Sequence, residues 1–180
     1  MAEPRRSPLH VEGARAILDY DRAVFDRFLR KIRRLPKAEA VRDRGIGHLS
    51  LFGTLLHILH VREAWFGFVV RDEGRREAAF FGRPERNPVD WRGFDRYARE
   101  VWAAHDALAA ELTEARLDRR YRAFWMPGRY SLGDVVLQVS FEQAHHLGEI
   151  IGALWVDDRR SPDMTWIEVQ RDALGSIRRR

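Results

Sequence analysis

Apolar residues recur every three or four positions over most of this chain. That helical period, interrupted by stretches rich in glycine, proline and charge, divides it into four long segments. The first predicted helix runs from about Val11 to Leu35, with Ile17, Val24, Phe28, Ile32 and Leu35 on one face and Pro36 closing it. The second spans about residues 50–71 behind a Ser50 N-cap and is apolar on most sides, which places it centrally. The third, about residues 90–114, sets Phe94, Val101, His105, Leu108 and Leu112 on one stripe. The fourth is the stretch Ser131 to Trp155, opened by Ser131 and Asp134 at capping-box spacing.

Between these helices the chain changes character. Residues 72–90 hold Gly74, Gly82, Pro84 and Pro88 and read as a long crossover, which lets the third helix run parallel to the second. Residues 118–130, DRRYRAFWMPGRY, mix aromatics and arginines before a Pro-Gly turn, and predict extended structure or a short hairpin over one end of the bundle. A short helix at about 162–176 is expected to pack on the outside. The expected architecture is therefore all-α, a four-helix bundle over residues 11–176, with a loosely ordered lead-in at 1–10 and a basic tail at 177–180.

Composition narrows the options. The chain has 180 residues, 45% hydrophobic and 33% charged, enough for one domain with a substantial core. No apolar run reaches membrane-spanning length and MAEPRRSPLH lacks a signal-peptide core, so a cytoplasmic protein without a membrane partner is expected. The absence of cysteine excludes disulfides, cysteine zinc sites and a protein thiol nucleophile. A net charge of +5 raises nucleic acid as a partner, but the basic residues alternate with 27 acidic ones along every helix, and the reading is a solvated surface.

Candidate chemistry lies on the second and fourth helices. Val135, Val139, Ile150 and Ala153 share a stripe, with Glu142 and His146 in its middle. A buried carboxylate needs a partner, so this pair is either a structural ion pair or half of a divalent-metal site. His57, in LLHILHVREAWF, shares its face with Val61, Ala64 and Phe68, and is either a packed core histidine or the third ligand. His60 lies about 60° away and is the rival ligand. His145 projects elsewhere as a supporting or surface residue, and His105 is either packed or a further ligand or acid/base. His10 and His48 fall in non-helical segments and carry no signal. Arg122, Arg129 and Tyr130, near the expected pocket wall, are candidates to grip an acidic thiol or substrate.

His57 followed by Trp65, and the string HHLGEI, resemble the DinB/YfiT-like family of metal-binding four-helix bundles over about residues 11–155. The family carries one histidine on its second helix and an H-x-x-x-H pair on its fourth; these fall on His57, Glu142 and His146, with Glu142 replacing a histidine. The related mycothiol-dependent maleylpyruvate isomerases use a His, Glu, His set with the same spacing. The resemblance implies an up-down-down-up bundle, a homodimer, and one divalent metal ion per chain. Zn(II) is the first choice, with Ni(II), Fe(II) or Mn(II) as alternatives. It also implies a thiol S-transferase, or a related hydrolase or isomerase, of detoxifying or stress-related role. In such an enzyme the nucleophile is a thiolate or water on the metal, and the substrates are a low-molecular-weight thiol such as bacillithiol or mycothiol and an electrophile. The readings of another class are a non-catalytic structural or binding bundle with a buried Glu142/His146 pair, and a basic nucleic-acid binder.

Overall fold

The computed structural model describes residues 6–71 and 86–170. The fold is all-α, as the apolar period requires. The described elements are α1 (Val11–Arg33), α2 (Lys37–Val41), α3 (Leu51–Glu63) with a π-helical continuation at Ala64–Val70, α4 (Trp91–Ala110), α5 (Glu114–Asp118), the strands β1 (Arg120–Tyr121) and β2 (Tyr130–Ser131), and α6 (Leu132–Val156). Residues 166–170 are helical again, within the predicted terminal helix. Residues 162–165, the expected start of that helix, are not helical; the centre of the expected crossover, 72–85, residues 171–176 of the expected helix and the tail at 177–180 lie outside the described residues.

Local chemistry explains most boundaries. Asp90 caps α4 by accepting from the Gly93 amide at 2.7 Å, and Thr113 caps α5 by accepting from the Arg116 amide at 3.2 Å. The third helix therefore ends at Ala110, short of the expected 114, and a separate helix opens behind the Thr113 cap. Ser131 and Asp134 form the expected reciprocal box: Ser131 N donates to Asp134 Oδ2 at 2.9 Å and the Asp134 amide donates to Ser131 Oγ at 3.1 Å. The hairpin also forms, with Arg120 opposite Ser131, Tyr121 opposite Tyr130, and Gly128 supplying the positive φ of its turn. Helix α1 ends at Arg33, and Pro36 starts the short α2 that periodicity did not reveal.

The chain divides into two compact units. The first is Met1–Leu18 with Ile58–Glu142. Its core gathers Ala14 and Leu18 of α1, Trp65, Phe66, Val69 and Val70 of the π-helical turns, Leu108 of α4, and Leu132, Val135 and Val139 of α6. Apolar burial of this kind is worth roughly 1.5–3 kcal/mol for each large side chain. The lead-in is fastened from Ser7 onward: its amide donates to Asp118 Oδ1 at 2.7 Å, and a Cβ on Gly133 would collide with its hydroxyl. Glu114 accepts from the Val11 amide at 3.0 Å, placing a carboxylate at the N-terminus of α1, where the helix dipole favours it.

The second unit is Asp19–His57 with Gln143–Arg180. Val24, Phe28, Ile32 and Leu35 of the predicted α1 stripe are buried in it, as are Leu51, Phe52, Leu55, Leu147, Ile150 and Leu154. Gln143 Nε2 donates to the Asp21 carbonyl at 2.8 Å, and the Tyr20 hydroxyl donates to the Met164 carbonyl. Residues 43–50 make a tight turn held by an Ile46–Leu49 bridge, with Gly45 and Leu49 at positive φ. Arg44, almost wholly buried, pins that turn by pairing with Glu39 at 3.2 Å and with Asp157, just past α6, at 3.0 Å. Arg42 adds a 2.7 Å contact to Asp157 and holds its carboxyl below the usual carboxylate range.

Candidate metal centre

Three imidazoles converge in the second unit. His57 sits in the second turn of α3, His146 on α6, and His48 on the turn that precedes the Ser50 cap. One ligand nitrogen from each lies within 4.8 Å of the others, with His146 buried and the other two half-buried. The rings of His48 and His57 stack at 3.5 Å, and His146 meets them edge-on at 5.0 and 4.5 Å. Donors on one tetrahedral zinc at 2.0–2.1 Å stand about 3.4 Å apart, so holding one ion would draw these nitrogens closer and turn the stacked rings toward it. Glycine makes the approach possible, because a Cβ on Gly53 would collide with the His48 carbonyl oxygen. Beside the cluster, Glu149 Oε2 lies 2.9 Å from His146 Nδ1, and its other oxygen is 3.8 Å from the exposed His145.

The sequence profile of the DinB superfamily matches residues 17–150, which include all three histidines and Glu149. The chain belongs to the DinB superfamily. No curated protein matches it. DinB membership and the converging histidines are together compatible with a metal-dependent enzyme.

In this DinB-superfamily chain two expected ligands, His57 and His146, do come together, and the third member of their group is His48. Glu142 belongs to the first unit, where it accepts from Gln138 Nε2 at 2.8 Å, and it is not one of the three. Periodicity passed over His48 because its position depends on a turn, not on a helical face. A usable signal was the string GIGHLS: two glycines and a histidine immediately before the N-cap of the helix that carries His57.

The remaining candidates fall in the first unit. His60 Nε2 donates to the Arg86 carbonyl at 2.5 Å, and burial pushes its pKa down. Near it, the Tyr97 hydroxyl donates to Glu63 at 2.6 Å, Arg86 pairs with the same carboxylate at 3.0 Å, and burial drives the tyrosine pKa strongly up. His105 is buried, with Nδ1 accepting from Arg62 at 2.7 Å, while the guanidinium lies 4.5 Å over the Trp102 ring. Tyr130 lines a cavity of about 500 Å³ with Trp65, Met126 and Phe141. Arg120 reaches that cavity; Arg122 and Arg129 are exposed, and Arg129 donates to the Arg120 carbonyl at 3.2 Å. Among the described residues no helix is long and apolar enough to cross a membrane.

Proposed function

We propose that this protein is a metal-dependent thiol S-transferase that joins a low-molecular-weight thiol to an electrophile. The observation that carries the reading is the convergence of His48, His57 and His146 within 4.8 Å. Three neutral nitrogen donors suit a borderline divalent cation such as Zn(II) and leave a tetrahedral position for substrate. A cation there supplies Lewis acidity that lowers the pKa of a substrate sulfur. The chain's own contribution is binding and orientation, since with no cysteine it offers no thiol of its own. The thiol, the electrophile and a second copy of the chain as homodimer partner belong to this proposal.

The test is turnover of a panel of thiols, bacillithiol and mycothiol among them, with a chromogenic electrophile, using protein loaded with Zn(II) or Ni(II). Metal-dependent conjugation that disappears in His57→Ala is the expected result. Loaded protein that accelerates no thiol addition overturns the transferase reading. A second reading, a non-catalytic bundle with packed histidines, is favoured by the parallel His48/His57 stack at an interplanar angle of 16°. Under that reading the purified protein takes up no metal.

A further inference from the structure

Glu149 stands beside the histidine cluster without being one of its three members. Its Oε2 accepts from His146 Nδ1 at 2.9 Å. An imidazole that donates from Nδ1 presents the lone pair of Nε2, so the carboxylate selects the tautomer and ring orientation in which the far nitrogen can serve as a ligand. The other carboxylate oxygen, Oε1, faces the turn that carries His48. A Cβ built on Gly47 would stand 3.0 Å from that oxygen, tighter than ordinary carbon–oxygen contact. Gly47 does not have a positive φ, so its backbone tolerates a side chain and the conflict with Glu149 is what a larger residue would meet.

We propose that Glu149 is a positioning residue for His146, and that Gly47 is the gap through which the His48 turn closes over that carboxylate. One support then fixes two ligands at once. The proposal rests on the metal-centre reading above, and it adds two residues outside the three-histidine group. Displacing the carboxylate from the turn side shifts His146.

The test uses the full chain and Zn(II) affinity measured by competition with a chromophoric chelator, with His57→Ala as the control. Glu149→Leu is expected to weaken binding by about 10–100-fold, in the range that such supporting partners contribute. Glu149→Gln, whose amide oxygen still accepts from Nδ1, retains most of the affinity. Gly47→Val weakens binding on its own, yet adds nothing to Glu149→Leu, because the group it displaces is already gone. Nitrogen NMR of the metal-free wild type is expected to show the proton of His146 on Nδ1, a readout that needs no variant to fold.

Three results overturn the proposal. One is unchanged affinity in Glu149→Leu while His57→Ala loses its zinc. Another is a full additive penalty in the double variant, and the third is an Nε2–H tautomer at His146. Failure of the metal reading looks different: wild type and His57→Ala then show the same absence of zinc binding.

Discussion

Helix α3 carries two histidines three residues apart, and they meet opposite chemistry. His60, in the first unit, gives its nitrogen to the carbonyl of Arg86, and His105 in the same unit accepts from Arg62. His57, in the second unit, meets two further imidazoles, and the carboxylate of Glu149 stands behind one of them. The first arrangement places arginine beside each histidine, where its positive charge opposes a cation. The second places a negative charge where it favours one. A buried histidine is therefore informative through the sign of its neighbours, and spacing along the helix does not reveal that sign.

The strongest way to break the comparison is to remove the histidines one at a time. Elemental analysis of untagged protein should find about one divalent ion per chain, lost in His57→Ala and retained in His60→Ala. The same experiment on His48→Ala and Glu142→Ala decides the third ligand: loss in the former with retention in the latter supports the three-histidine set, and the reverse restores the carboxylate. A smaller effect is expected in the first unit. His105→Leu deprives the buried Arg62 of an acceptor and should cost about 1–3 kcal/mol in urea unfolding, with metal content unchanged. A loss of metal in that variant would contradict the division of roles.

The mildest effect concerns pH. The unfolded His60 imidazole takes up its proton near pH 6.5, and the buried one only at lower pH. Below about 6.5 the unfolded state therefore binds more protons, and stability falls with pH until the folded imidazole is protonated as well. Thermal melts of His60→Gln should show a shallower loss across that acid window than the wild type. Parallel curves would mean that His60 does not contribute to the acid sensitivity.

Sequence reasoning reached those elements whose chemistry is local. Phe94, Val101, His105 and Leu108 of the α4 stripe are buried, as is Leu112 just past the helix, and the Ser131/Asp134 box opens α6 as its spacing requires. His57 and His146 were legible because each lies on an apolar helical face. His48 was not, since Gly45, Leu49 and the Ile46–Leu49 bridge aim the turn, and no period records them. The π-helical turns at Ala64–Val70 also escaped, and with them the angular register that grouped His57 with Phe68. An extra residue per turn cancels arithmetic based on 100° steps.

The arginine and carboxylate cluster under the His48 turn has a consequence for ionic strength. Arg42 is 45% exposed, so dissolved salt screens its attraction to Asp157, whereas Arg44 at 3% exposure is largely shielded from the same ions. One fastening loosens in brine and the other persists. The turn that delivers His48 is thus held by two clasps of unequal sensitivity, which keeps the histidine's place through changes in electrolyte that would release a purely superficial contact.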